Sequence, residues 1–269
     1  MSRRGLYLRR ALVGAFALAT VVLFAGCSSI IGGAQNTMAP AGPVAGRERD
    51  IYLLVIWPAA AVLVLVEGLV LLIVFKFRNR KGDDSIPRQV HGNPALEVAW
   101  TVAPAILLAI VAVPVLAGVV ALGREPHKGA TRVNVTAIQW LWQFEYPDYK
   151  DASGKPISSP NNEMHIPAGT EIGLQFHSGD VIHSFWVPKL AGKIQVIPNH
   201  PNHMWIKADQ PGDYSGQCAE FCGFGHAEMR FRVIVQTPQE FEAWAKSQGA
   251  VTTPSSAPSQ PQAVASGGN

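Results

Sequence analysis

Two thiols, an imidazole and a thioether lie within one short stretch near the C-terminal end of this 269-residue chain. They are Cys218, Cys222, His226 and Met229, in the sequence Cys-Ala-Glu-Phe-Cys-Gly-Phe-Gly-His-Ala-Glu-Met. Thiolate and thioether sulfurs are soft ligands that suit copper, and imidazole binds copper as well. A second histidine, His183, follows an earlier strand-like run. The five side chains together predict a copper site for electron transfer.

The second cysteine adds information, because a mononuclear copper site needs only one thiolate. Two thiolates at this spacing can each bridge two copper ions, so that one electron is shared and the reorganisation on reduction is small. Other interpretations of Cys218 and Cys222 stay open on the residues alone. They could form a disulfide in an oxidising compartment, act as a redox thiol pair, or bind zinc, although a methionine ligand would be unusual for zinc.

The elements that position these residues alternate apolar and polar side chains. Residues 131–136, 171–176 and 230–235 show this alternation, and Pro and Gly residues separate the runs. The pattern predicts a small antiparallel sandwich or barrel ending near Gln236, then a short amphipathic helix. We expect this domain to occupy residues 125–250 and the Ser-, Pro-, Gln- and Gly-rich segment 251–269 to be disordered.

Two apolar runs precede that domain, each long enough to cross a bilayer as a helix. Residues 51–75 are apolar except for Glu67, and residues 98–122 form the second run. Glu67 could serve a function inside the membrane or simply bond a neighbouring helix. Asn93, which can cap the second helix, and Glu97, in its first turn, mark where that helix begins.

The apolar runs predict a transmembrane hairpin over 50–124 with a connecting loop at 76–93. Because that loop is rich in Lys and Arg, it is expected to stay in the cytoplasm. Everything after Arg124 then lies on the outer face of the cell membrane.

The N-terminal segment has the pattern of a targeting sequence. Arg9 and Arg10 precede an apolar run that ends in small residues, which predicts a secretory signal over residues 1–26. The Ala-Gly-Cys ending resembles a bacterial lipoprotein signal, in which Cys27 becomes lipidated; an ordinary signal or a retained membrane helix is the alternative. Residues 27–49 are expected to be a linker.

Charge is distributed unevenly along the chain. The leader is basic, whereas the region after Pro126 carries more acids than bases. This balance does not suggest nucleic-acid binding; it indicates export and a surface that could attract a basic partner. His200 and His203 could form a second metal site, or could simply be solvated side chains of a loop.

The copper motif resembles a known family. The stretch 218–229, together with Val-Ile-His-Ser-Phe-Trp-Val-Pro at 181–188, is similar to the dinuclear copper centre, CuA, of cytochrome c oxidase subunit II. Residues 97–104 resemble the start of that family's second membrane helix, and 139–146 resemble its aromatic stretch. The resemblance covers about 50–236 and implies an α+β membrane protein, in which a two-helix hairpin precedes a cupredoxin-like sandwich.

The resemblance also implies a role for each matching ligand. Both cysteines would bridge two copper ions, one histidine and the methionine would complete the first copper, and the other histidine and a backbone carbonyl would complete the second. In this chain these are Cys218 and Cys222, then His183 with Met229, then His226 with the carbonyl of Glu220.

Three further roles follow from the same resemblance. The Glu220 side chain would reach a magnesium ion shared with the haem-bearing catalytic subunit I. Trp140 would receive electrons from cytochrome c. Glu97 would stand at the mouth of a proton path. The chain departs from the family pattern at 194–200, where the family usually carries an acid and a Pro-Gly turn, and at Leu141, where an aromatic residue is common.

The implied function is the transfer of electrons from cytochrome c to a complex that reduces oxygen to water and pumps protons. Two other functions are compatible with parts of this pattern. A quinol-oxidase subunit II shares the hairpin and sandwich but binds no copper there, so the retained ligands disfavour it. A membrane-anchored copper-delivery protein would present Met- and His-rich tracts, whereas this chain has five Met in all.

Overall fold

The computed structural model describes residues 14, 33–78, 89 and 92–251. The predicted signal, Cys27, most of the predicted cytoplasmic loop and the predicted tail after residue 251 lie outside the described residues. The chain divides into two compact units. One is Gly46–Arg124, and the other combines Met1–Ala45 with Glu125–Asn269.

The first unit is built from two long apolar helices, α1 (Pro43–Lys76) and α2 (Pro94–Leu122). At 1.5 Å per residue they are about 51 and 44 Å long, more than the roughly 30 Å of a bilayer's hydrocarbon core. Most of their side chains are exposed. This exposed apolar surface, together with the length of the helices, fits a membrane protein, and within the described residues these are the two helices that meet the test for a span.

The helix ends follow local sequence rules. The Asn93 side chain caps α2 by accepting hydrogen bonds from the backbone N–H groups of Ala95 and Leu96, at 3.1 and 3.3 Å. Helix α1 begins at Pro43, inside the segment 27–49 where a linker was expected. Proline suits the first turn of a helix, and the next two residues are buried.

The second unit is a β-sandwich of ten strands. The strands are β1 (Thr131–Ile138), β2 (Leu141–Lys150), β3 (Pro156–Ser159), β4 (Glu163–Pro167), β5 (Ile172–Ser178), β6 (His183–Trp186), β7 (Lys193–Val196), β8 (Asn202–Ile206), β9 (Gly212–Cys218) and β10 (Arg230–Gln236). A helix, α3 (Pro238–Ser247), follows, and a Thr237–Glu240 capping box fixes its start.

The ten strands form two five-stranded sheets, in the orders β3-β2-β1-β5-β8 and β4-β10-β9-β6-β7. The prediction of a purely antiparallel sandwich was wrong in one respect, because each sheet contains a parallel pair: β1 with β5, and β10 with β4. Alternation of side chains fixes which face of a strand is buried, but it does not fix the direction of the neighbouring strand.

Aromatic side chains fill the space between the sheets. The ring of Phe231 lies 4.6 Å from that of Phe185 and 5.2 Å from that of Trp142, measured between centroids, and Phe144 joins the group. All four side chains are buried. They form an apolar floor, named here the aromatic floor.

The segment 33–45, which ends in the first turn of α1, packs on the sandwich. The Ala41 N–H donates to the carbonyl of Lys189, and the Asp209 N–H donates to the carbonyl of Ala41, at 2.8 and 2.9 Å. Val44 and Ala45 are almost fully buried. Residues 33–45 are therefore part of the domain, and the name N-terminal strap is used for them below.

Candidate metal centre

The five predicted soft donors come from two places in one sheet. His183 begins β6, Cys218 ends β9, and the loop between β9 and β10 carries Cys222, His226 and Met229. Strand pairing brings these places together, because β6 pairs with β9 and Phe185 lies opposite Cys218. The site is thus assembled by the sheet register and closed by one loop.

The donor atoms of these side chains lie within a few ångströms of one another. The two cysteine Sγ atoms are 3.8 Å apart. His183 Nδ1 lies 3.9 Å from Cys218 Sγ, and Cys222 Sγ lies 3.7 Å from both His226 Nδ1 and Met229 Sδ. The structure therefore brings all five side chains that were predicted as copper ligands into one cluster.

The backbone supplies a further donor. The carbonyl oxygen of Glu220 lies 3.3 Å from Cys218 Sγ, as the family resemblance implies, whereas the Glu220 side chain is exposed. The side chain therefore points to solvent.

The cysteine geometry excludes one of the alternatives left open by the sequence, a disulfide in this structure, and allows another, the binding of a metal ion. A disulfide needs sulfurs about 2.05 Å apart, and both thiols are free. One metal ion at a thiolate bond length of about 2.3 Å from each sulfur is compatible with a 3.8 Å separation. Of the described residues, His183, Cys218 and Cys222 form the one group of His, Cys or acidic side chains close enough to hold a metal ion.

The cluster is shielded from water on its inner side. His183, Cys218, Cys222 and Met229 are all buried, and the His183 ring meets Trp142 of the aromatic floor edge-on at 6.1 Å. Burial, with the neighbouring Cys218 thiol, raises the pKa of Cys222 to about 12. A soft cation that replaces the thiol protons would relieve this penalty, so the donor set fits copper.

Asp180 orients His183, one of the candidate ligands. Its Oδ1 lies 2.8 Å from His183 Nε2, which leaves Nδ1 to face the cysteine sulfurs. Burial disfavours the charged Asp180, but hydrogen bonds from His183 and from the backbone of Gln139 and Val181 outweigh it and lower the pKa of this carboxyl. A carboxylate behind a ligating histidine fixes its tautomer and ring orientation.

The two tryptophans before the centre have different environments. Trp142 is buried and Trp140 is 40% exposed. Although they alternate with Leu141, they do not share one face of a strand, because β2 begins at Leu141 and Trp140 lies in the preceding turn. The Trp140 ring lies directly over Gly225, whose Cβ, if present, would be 2.6 Å from the ring. Its Nε1 is 3.4 Å from the carbonyl oxygen of Cys222.

Other nominated residues lie elsewhere. Glu97 is in the first turn of α2, in the helical unit. His203 Nε2 lies 3.3 Å from a carboxylate oxygen of Glu125, and in the part of the chain that the structure describes the pair His200/His203 belongs to no metal-binding group. Near the tryptophans, Glu145 is exposed, whereas Asp148 forms an ion pair with Arg132.

Sequence reasoning missed Asp180 and Gln139 as parts of the site. Asp180 could have been predicted from its position, because it lies three residues before His183. Gln139 and Cys222 are 83 residues apart in sequence, and no local sequence pattern predicts a contact between them.

Both units of the chain are similar to known proteins. Residues 36–117 match the family profile described as cytochrome c oxidase subunit II, transmembrane domain, and residues 152–237 match that of its periplasmic domain. The chain is 41% identical over 225 residues to cytochrome c oxidase subunit 2 of Alkalihalophilus pseudofirmus, which covers 81% of this chain and 64% of that protein. The chain thus spans a little under two thirds of that relative's length.

The chain is also similar to a quinol-oxidase subunit and to a solved structure. Quinol oxidase subunit 2 of Bacillus subtilis is 32% identical over 237 residues, 86% of this chain and 70% of that protein. The periplasmic domain of subunit II of the cytochrome oxidase of Bradyrhizobium japonicum is 33% identical, covering 45% of this chain and 95% of that one, with a TM-score of 0.41.

Proposed function

The chain belongs to the cytochrome c oxidase subunit II family, and on that premise we propose that it receives electrons from cytochrome c at a pair of copper ions. It then passes them to the haem of a catalytic subunit I, where oxygen is reduced to water and protons are pumped. One observation carries the proposal: two free, buried cysteine sulfurs 3.8 Å apart lie among two histidines and a methionine.

Each donor has a place in the proposed centre. Cys218 and Cys222 would bridge both copper ions. His183 with Met229 would complete one ion, and His226 with the Glu220 carbonyl would complete the other. When bound, such a pair shares a one-electron change between two metals.

The chain's own residues prepare the site for electron transfer. The aromatic floor keeps water from the buried side, and Asp180 holds the His183 ring in place. Because the ligands come from the ends of two interior strands, β6 and β9, and from one short loop, they need to move little when the charge of the centre changes. This rigidity supports electron transfer over copper storage or delivery, which requires ligands that release metal.

Trp140 is the proposed point at which electrons arrive. Its ring is partly exposed, lies on the loop that carries the ligands and contacts the carbonyl of Cys222. Exposed acids such as Glu145 would steer a basic cytochrome c, an attraction that salt weakens. Asp148 contributes less to this attraction, because Arg132 neutralises its charge.

Two acids would serve the partner subunit. The Glu220 side chain, exposed beside the centre, would reach a magnesium ion shared with subunit I. Glu97, at the start of α2, would help protons reach the catalytic subunit from the cytoplasmic side. This topology follows from the basic loop between the two helices. It also places the sandwich on the outer face of a bacterial cell membrane, where Cys27 would carry the lipid anchor.

A quinol-oxidase function is the second candidate, since one relative of similar identity carries that name. The retained cluster of soft donors disfavours it, because a copper-free subunit has no use for two free buried thiols in an oxidising compartment.

A metal inventory and a spectrum test the proposal. The complex is purified through a tag on this chain, and its copper and haem are counted. The oxidised protein is expected to show an electron-spin resonance signal coupled to two copper nuclei, and Cys218→Ser or Cys222→Ser should abolish it. A single-copper signal, or no copper at all, would refute the proposed centre. The full chain is used because the N-terminal strap is part of the sandwich domain.

A further inference from the structure

Gln139 lies where three separate parts of the chain meet beside the metal centre. Its backbone N–H donates to Asp180 Oδ2 at 2.7 Å, and its side-chain Nε2 donates to the carbonyl oxygen of Cys222, also at 2.7 Å. Asp180 in turn holds His183. Through its two ends, Gln139 connects the residue that orients one candidate ligand with the backbone of another.

We propose that Gln139 is a positioning residue that fixes His183 and Cys222 relative to each other. His183 begins β6, whereas Cys222 lies in the loop after β9, and the backbone bonds that join these two strands end with the one from the Ala219 N–H to the Ser184 carbonyl, at 2.9 Å. Beyond that point, Cys222 is held by its own loop and by two hydrogen bonds to its carbonyl, a short one from Gln139 Nε2 and a longer one from Trp140 Nε1. The inference rests on the proposed metal-binding function, but its main measurement needs no metal.

The backbone at Gly223 shows that this contact is built into the fold. Gly223 has φ of +117°, a conformation that L side chains rarely adopt, and a Cβ there would lie 2.9 Å from Gln139 Nε2. The absence of a side chain therefore lets the glutamine amide approach the Cys222 carbonyl. Trp140 Nε1 reaches the same oxygen only at 3.4 Å, so the glutamine supplies the shorter of the two bonds.

The consequence concerns how firmly Cys222 is held. If the bond from Gln139 is lost, the loop after Cys218 can open more often, and the Cys222 sulfur becomes accessible. Because Gln139 is itself exposed, water competes for its amide. The expected effect is therefore that of one ordinary hydrogen bond, about 2- to 10-fold in an opening equilibrium.

Three variants of the full chain in detergent separate this role from general stability. Gln139→Ala removes the amide, and Gln139→Asn keeps an amide that is one methylene too short to reach Cys222. Both leave the backbone bond to Asp180 in place. The control is Gln143→Ala, an exposed glutamine on β2 that faces Thr136 across the sheet.

The first readout is the rate at which a thiol reagent modifies Cys222 in the metal-free chain, located by peptide mass spectrometry. The second is the rate at which a chelator removes copper from the loaded chain. We expect both Gln139 variants to raise both rates about 2- to 10-fold, and Gln143→Ala to match the wild type. A small change in copper hyperfine splitting should accompany the Gln139 variants alone.

Two results would overturn the inference: Gln139 variants with wild-type modification rates, or an equal rise in Gln143→Ala. Should Gln139→Ala fold poorly, the milder Gln139→Asn decides. The copper function fails separately, when the wild-type chain binds no copper pair, and the metal-free modification rates still test Gln139 in that case.

Discussion

Asp180→Asn is the sharpest test of how the centre is held. Three N–H donors converge on the Asp180 carboxylate: those of His183 Nε2 and the Val181 backbone on Oδ1, at 2.8 and 2.6 Å, and that of the Gln139 backbone on Oδ2, at 2.7 Å. Asparagine offers one oxygen and one NH2 group. If its oxygen serves His183 and Val181, its NH2 group faces the Gln139 N–H, and one charge-assisted hydrogen bond is lost.

The magnitude follows from that count. Loss of a hydrogen bond to a charged group costs about 1.5–3 kcal/mol, which corresponds to roughly a 10- to 100-fold change in an equilibrium constant. Loss of an outer-shell partner of a ligating histidine typically lowers metal affinity by about 10–100-fold. The two estimates agree, so we expect Asp180→Asn to bind copper about 10- to 100-fold more weakly while keeping the same ligands.

The assay is competition for copper against a chelator, with Asp213→Asn as the control. Asp213 is also a carboxylate, but it pairs with Arg232 at the surface, where an ion pair contributes about 0–1 kcal/mol. The lowered pKa keeps Asp180 ionised at neutral pH, so its contribution is fully present above the ordinary Asp pKa of about 3.9. That contribution is lost as pH falls through the lower folded-state value. Unchanged affinity in a folded Asp180→Asn protein would show that Asp180 does not orient His183.

Four more perturbations test the centre and other parts of the chain. Trp140→Ala should slow electron arrival from cytochrome c in stopped-flow experiments and leave the copper spectrum intact; normal kinetics would place electron arrival elsewhere. Gly225→Ala should have a milder effect on the same kinetics, because its Cβ forces the Trp140 ring to move about 0.8 Å to reach ordinary contact. Glu97→Gln should leave assembly and copper reduction normal but slow steady-state oxygen consumption, whereas a residue that acts only on the helix dipole would change stability by about 0.3–1 kcal/mol and leave turnover unaltered. Gly216→Ala places a Cβ 2.3 Å from the buried Phe231 ring and should destabilise the domain by about 1–3 kcal/mol, measured by thermal unfolding; an unchanged midpoint would mean that the aromatic floor adapts.

The sequence predicted the chemistry of the centre well, because the donor types are rare and closely spaced. Four of the five predicted donors lie within the short stretch 218–229, at the end of one strand and in the loop that follows, so they had to be near each other whatever the fold. Alternation likewise identified β1, β5 and β10, and apolar length identified the two long helices. Each of these signals is local.

The remaining features depend on distant contacts. The parallel partners of β1 and β10 could not be predicted, since alternation is the same in parallel and antiparallel pairs. The burial of Trp142 and exposure of Trp140 depend on where β2 begins. The N-terminal strap looked like a linker by composition, and its hydrogen bonds to Lys189 and Asp209 and the burial of Val44 and Ala45 show that it belongs to the domain.

The parallel pair of β4 and β10 has a consequence for the order of folding. Its partners, such as Met164 and Val233, are far apart in sequence, and pairings of this kind are slow to form because a long loop must close first. The loop with Cys222, His226 and Met229 is closed where β10 pairs with β9, and His183 joins it through the pairing of β6 with β9, so the ligand set stays incomplete until these three strands have docked. Copper would bind the folded sandwich and not its partly folded precursors. By mass action, this binding would stabilise the folded domain.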